Sequence, residues 1–185
     1  MEDFVPRQPR VLLLDCEPAR AARRCSQLSA LGWHVIEVAD SREALRVVQT
    51  HAIDLALLTM APGRATLADL PGNLRRACGG GFLPIVILDD RNGGEAQRCA
   101  CLEAGADEIL PPDVSSGELG ARLRALLRIK DLQDALDDSR RALSEALRRE
   151  RALLSRVQAD NERLSREATT DPLTGLYNVR YFESF

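Results

Sequence analysis

Side chains able to handle phosphate or a metal ion stand where short apolar runs end. The run Val11-Leu12-Leu13-Leu14 ends in Asp15, with Cys16 and Glu17 behind it, and Ile85-Val86-Ile87-Leu88 ends in Asp89 and Asp90. Carboxylates gathered at one edge suit a hard divalent cation. The set is incomplete for one. The run Leu55-Ala56-Leu57-Leu58 ends in Thr59, no Asp or Glu lies between Leu55 and Ala68, and Cys16 is a soft ligand poorly matched to Mg²⁺. Asp15, Glu17, Asp89 and Asp90 therefore read as a solvated acidic rim rather than a metal centre. Lys130 is the one lysine among 25 basic residues, so no mechanism needing a lysine elsewhere can operate. The five cysteines lack metal-ligand spacing. Cys99 and Cys101 diverge by about 200° on a helix and read as ordinary packing. His34 and His51 are isolated.

The elements that must position these residues alternate. Residues 10–15, 33–38, 53–58, 84–88 and 108–110 read as buried strands. Helices are expected over 18–31, with Ala22, Cys25, Leu28 and Leu31 on one face and Gly32 as C-cap, and from Ser41 as N-cap, with Ala44, Leu45 and Val48 inward. Further helices are expected between 67 and 78, over 95–104, and after Ser116. Five βα units predict an α/β, doubly wound, five-stranded parallel sheet with its functional pocket at the carboxyl ends of the strands.

From 118 to 168 there is no proline, and the only glycine is Gly120. Such a helix is about 75 Å long, too long for one globular domain. Ile129, Leu132, Leu136, Ser139 and Leu143, then Leu147, Glu150, Leu154, Val157, Asn161, Leu164 and Ala168, follow steps of three and four, the seam of a coiled coil. Two consecutive steps of four join the halves as a stutter. Asp137–Arg141, Glu145–Arg149 and Glu162–Arg166 are expected to pair along the solvated face.

With 185 residues, 45% hydrophobic and 29% charged, the chain is of globular composition. The formal charge of −3 argues against a nucleic-acid arm or a polybasic membrane anchor. No apolar run approaches the ~18 residues of a bilayer span, and the start lacks a basic region leading into an apolar stretch. The expected location is the cytoplasm, with reduced thiols.

Two resemblances cover almost the whole chain. The stretches 12–18, 31–35, 39–45, 54–58, 83–88 and 103–108, in that order and spacing, resemble the receiver domain of two-component response regulators, a flavodoxin-like fold. Thr170-Asp171-Pro172-Leu173-Thr174-Gly175-Leu176-Tyr177-Asn178 resembles the segment that opens GGDEF domains of diguanylate cyclases, with Asp171, Leu173, Thr174, Gly175, Leu176 and Asn178 on the motif. Val179 departs from the arginine usual there, and Arg180 matches the next. The implied organisation is an N-terminal arm (1–8), a receiver (9–117), a coiled-coil linker continuing the last receiver helix (118–168) and the start of a GGDEF domain (169–185).

The receiver resemblance implies a third-strand aspartate that takes a phosphoryl group, acids after the first strand that help it hold Mg²⁺, a Thr or Ser after the fourth strand, and a Lys after the fifth. This chain keeps Asp15 but places Cys16, Thr59, Asp89 and Pro112 at the other positions, with Glu17 beside them. A degenerate receiver that is not phosphorylated is the expectation. The cyclase resemblance implies two GGDEF domains that each hold one GTP and join them, with Mg²⁺, into cyclic di-GMP. The Gly-Gly-Asp/Glu-Glu-Phe turn lies downstream of the opening segment. These 185 residues are thus expected to be no working enzyme and to hold no cofactor, Mg²⁺ and GTP belonging to the cyclase domain. The expected partner is a second copy, through a parallel coiled coil, with an unknown signalling protein possible. The competing reading is a stand-alone pseudo-receiver interaction module, or a cyclic di-GMP effector, with a vestigial GGDEF segment.

Overall fold

Short aliphatic runs bounded by turns become strands, and amphipathic runs between them become helices. In the computed structural model, which describes residues 8–59, 69–79, 81–89, 94–170 and 176, they alternate without exception. The elements are β1 (Arg10–Leu14), α1 (Pro18–Ala30), β2 (His34–Val38), α2 (Ser41–Thr50), β3 (Leu55–Thr59), α3 (Leu70–Ala77), β4 (Ile85–Leu88), α4 (Gly94–Glu103), β5 (Glu108–Leu110) and α5 (Ser116–Thr169). All pairings are parallel, in the order β2-β1-β3-β4-β5. This is the expected doubly wound sheet of flavodoxin-like, receiver type, followed by a long C-terminal helix.

The strands bury both faces, as parallel strands flanked by helices must. Leu12, Leu14, Ala56, Leu58, Ile85 and Ile87 pack with Ala44, Val48, Leu70 and Leu74 of α2 and α3. Val11, Leu13, Leu55, Leu57, Val86 and Leu88 pack with Leu28 of α1 and with Leu119, Leu123 and Leu126 of α5. Period-two alternation along each strand sorts the two sets.

Some local expectations need correction. On α1, Leu28 is buried and Cys25 and Leu31 pack against the core as expected, but Ala22 is exposed, and Ala21 and Arg24 are buried in addition. The N-cap of α2 is Asp40 rather than Ser41, because the Asp40 carboxylate accepts the Glu43 amide at 2.8 Å. The C-cap of α1 is Leu31 rather than Gly32, which follows it in the left-handed region at φ +83° with its amide on the Ser29 carbonyl at 2.9 Å.

The chain divides into two compact units, Met1–Ala135 and Leu136–Phe185. In the second, Leu136, Leu143, Leu147, Leu154, Val157 and Leu164 are exposed, as is Asn161 between them, and so is Leu153. Ile129 and Leu132, in the first unit, are exposed as well. Arg149 pairs with Glu145 at 3.5 Å as expected, while Arg141 takes Asp138 at 3.0 Å rather than Asp137, which meets Arg140 at 4.0 Å. Among the described residues no helix is long and apolar enough to cross a membrane. Of the GGDEF-like motif, Leu176 is exposed, while Asp171, Leu173, Thr174, Gly175 and Asn178 lie outside the described residues, as does Asp90.

Candidate functional site

Parallel strands put their carboxyl ends at one edge, so the residues that follow β1, β3, β4 and β5 converge. Asp15 follows Leu14, which pairs with Leu58, so Asp15 and Thr59 stand on adjacent strands. Thr59 pairs with Leu88, immediately before Asp89, and the Asp89 amide donates to the Leu110 carbonyl at 2.9 Å. Pro112 lies two residues past Leu110. The buried polar or charged residues among those described are Asp15, Arg24, Thr59 and Asp89, and all of them belong to this edge. Burying polar groups is costly unless they are paired, so the concentration marks the site.

Its organising contact is an ion pair. The Asp15 side chain is fully shielded from solvent, and Arg20, from the first turn of α1, grips both its oxygens: Nε donates to Oδ2 at 2.7 Å and Nη2 to Oδ1 at 2.8 Å. The Glu17 amide donates to Oδ1 at 2.9 Å, and the Glu17 carboxylate meets Arg20 Nη1 at 3.0 Å. Burial pushes the Asp15 carboxyl up, but the Arg20 hydrogen bonds, the Glu17 amide and the guanidinium charge outweigh it and hold the group below the usual carboxylate range. The Arg20 guanidinium is pushed up in turn by its bond to Asp15. The Thr59 hydroxyl lies near enough to Asp15 to favour its charged form, yet makes no full hydrogen bond.

A second arginine reaches the far side of the edge. Arg24, one turn after Arg20, donates through Nη2 to the Pro112 carbonyl and through Nη1 to Gln27 Oε1 at 2.9 Å. Burial lowers the pKa of its guanidinium, and Arg23 and Arg20 lower it further, opposed by Asp15.

The expected positions are thus brought together: Asp15, Glu17, Thr59, Asp89 and Pro112 share the carboxyl edge, with Cys16 exposed beside them. Asp54 is at the opposite end of β3, where its Oδ2 accepts the Arg10 amide at 2.8 Å. Lys130 is also remote. Its Nζ donates to the Phe82 carbonyl ahead of β4 at 3.0 Å and pairs with Asp134 at 2.9 Å. Arg20 and Arg24 are what the motif pattern missed. One signal was present: α1 has no acid in its first turn and carries Arg20 there, a charge the helix dipole disfavours and that an acid outside the helix must therefore hold.

The donors do not fit the Mg²⁺ that the receiver fold implies. Asp15 is taken up by the guanidinium, a thiol stands at the next position, and β3 ends in a hydroxyl. Among the described residues, no three His, Cys, Asp or Glu side chains group to hold a metal. A groove beside Asp89, lined by Glu95, Arg98, Cys99, Leu102 and Ile109, is the neighbouring surface feature.

No family model matches the chain. It is 34% identical over 130 residues to the response regulator MprA of Mycolicibacterium vanbaalenii, covering 70% of this chain and 55% of that protein. MprA of Mycobacterium tuberculosis H37Rv gives 34% over 128 residues, 69% of this chain and 54% of that protein. The chain spans about half the length of these curated relatives. Among solved structures, the receiver domain of the sensor histidine kinase PA1611 of Pseudomonas aeruginosa PAO1, with a magnesium ion coordinated in its active site cleft, superposes with TM-score 0.58 at 24% identity, covering 65% of this chain and 98% of that one. A CheY-like receiver domain protein from Methanospirillum hungatei gives 0.60 at 18%, covering 67% and 97%. Sheet order and these likenesses agree: the first unit of this chain is a response-regulator receiver domain.

Proposed function

We propose that the chain is the regulatory front half of a diguanylate cyclase response regulator. Its receiver is silent to phosphoryl transfer, and its helix pairs two copies in parallel so that two cyclase domains meet. The carrying observation is α5: one uninterrupted helix, Ser116–Thr169, whose Leu119, Leu123 and Leu126 are core and whose Leu136, Leu143, Leu147, Leu154 and Leu164 form an exposed apolar stripe. A stripe of that length needs a partner, and a second copy offers an identical one. The GGDEF-like motif that begins at Thr170 directly follows.

Silence of the receiver rests on side-chain chemistry. Thr59 offers no carboxylate for an acyl phosphate, Asp89 repels a phosphoryl group where a hydroxyl would bind it, and Pro112 brings no cation. In the full-length parent, GTP and Mg²⁺ belong to the cyclase domain, and this chain supplies pairing and register. Incubation with acetyl phosphate, or with beryllofluoride and Mg²⁺, tests the silence. The expected result is an unchanged mass and an unchanged spectrum. Gain of one phosphoryl group, or a Mg²⁺-dependent structural change with beryllofluoride, refutes it.

A further inference from the structure

A fully buried carboxylate needs a cation, and in this receiver the cation is part of the chain. We propose that Arg20 is a tethered substitute for the divalent metal of the receiver cleft, a permanent counter-ion that closes the site to exchangeable cations. The inference rests on the reading of this domain as a silent receiver and adds the device that keeps it so.

Three features carry it. Asp15 has no solvent-exposed side-chain surface, so its charge is balanced from within. Arg20 satisfies both carboxylate oxygens in the bidentate geometry that guanidinium alone among side chains provides, and the Glu17 amide takes a further lone pair of Oδ1. An entering metal would have to displace all three donors. Arg20 also stands in the first turn of α1, against the helix dipole, a position explained by the two acids it engages, Asp15 and Glu17. A cation that arrives and leaves gives a site two states. One fixed by a covalent backbone gives it a single state, independent of metal concentration.

The test restores the missing carboxylates and asks whether Arg20 still bars the metal. Full-length chains carrying Cys16→Asp and Thr59→Asp, with and without Arg20→Ala, are titrated with Mn²⁺ and the free ion is read by electron paramagnetic resonance. If Arg20 competes for Asp15, its removal tightens Mn²⁺ binding by about tenfold or more. Equal affinities, or tighter binding with Arg20 present, overturn the assignment. Should the triple variant be poorly folded without metal, its thermal midpoint is read against Mn²⁺. A rise with metal that the double variant lacks supports the tether, and no rise overturns it. Wild-type protein should melt at the same temperature in millimolar Mg²⁺ and in chelator, and stabilisation by Mg²⁺ also overturns it. Phosphoryl uptake by the wild type would instead overturn the silent-receiver reading, so the two failures are distinguishable.

Discussion

Replacing Leu143 and Leu154 with glutamate separates a helix that works by pairing from one that works alone. In the single chain these side chains are 61% and 56% exposed. Complete burial of a leucine is worth roughly 1.5–3 kcal/mol. Scaling that figure by the exposed fractions of 61% and 56% and counting both copies gives about 3.5–7 kcal/mol lost from the dimer. This corresponds to a weakening of the dissociation constant by about 300- to 100,000-fold. Four glutamates facing one another at the seam add to the loss. Sedimentation equilibrium from submicromolar to tens of micromolar, on wild type, double variant and the surface control Arg156→Ala, measures it. Wild type and control are expected as dimers and the double variant as a monomer, with the receiver's melting transition kept because its core lies in the other compact unit. A monomeric wild type, or a dimeric double variant, would refute the seam.

Three further outcomes follow from the same contacts. Asp15 has a lowered folded pKa, so its stabilising contribution is present above the unfolded value of ~3.9 and is lost as pH falls through the folded one. The gap in thermal midpoint between wild type and Asp15→Asn should be widest near neutrality and close in acid, and a gap independent of pH contradicts the ion pair. The Cys25 thiol is pushed up to about 11 by burial and by the Glu37 carboxylate, 3.4 Å away. Iodoacetamide at pH 8 should therefore label it on the order of a hundredfold more slowly than the exposed Cys16, and similar rates by mass spectrometry contradict this. Leu153 and Leu154 are both exposed in the lone helix, and the stutter at Leu143 and Leu147 allows either to enter the seam. In protein otherwise free of cysteine, a cysteine at 153 or at 154 should each cross-link between chains under some condition; cross-linking at 154 alone shows a fixed register.

What was legible in the sequence follows from which forces are local. The run from Val11 to Leu14 ending in an acid identifies a buried strand with its carboxyl end at the site, because apolar continuity and chain direction are both written locally. The exposed apolar stripe of α5 is legible for the same reason: steps of three and four require nothing from the rest of the chain. Asp40 and Ser41 are both good capping residues, and only the Glu43 amide, three residues past Asp40, decides between them. Arg24 was the hardest to anticipate. A hydropathy pattern assigns arginine to solvent, while here the Pro112 carbonyl and Gln27 take up its hydrogen bonds and permit burial. Arg20 shows the same limit, since its partner Asp15 belongs to the preceding strand and outweighs an unfavourable place in its own helix.

On the proposed reading of a silent receiver, these two arginines account for how the chemistry is lost and the fold kept. Acids at this edge are costly to bury when left bare, so without an exchangeable cation they have to be removed or neutralised. Here Asp15, Glu17 and Asp89 remain, and Arg20 and Arg24 supply two positive charges from a single helix, one turn apart. A phosphoryl group would add a charge of roughly −2 to an edge that already holds Asp15, Glu17 and Asp89. The same arrangement that stabilises the resting fold therefore opposes modification. Leu119, Leu123 and Leu126 tie the start of α5 to the sheet. On the reading proposed above, a signal enters through surface contacts and leaves along α5, and a change in how those three leucines pack is the physical step that would alter the pairing of the helix.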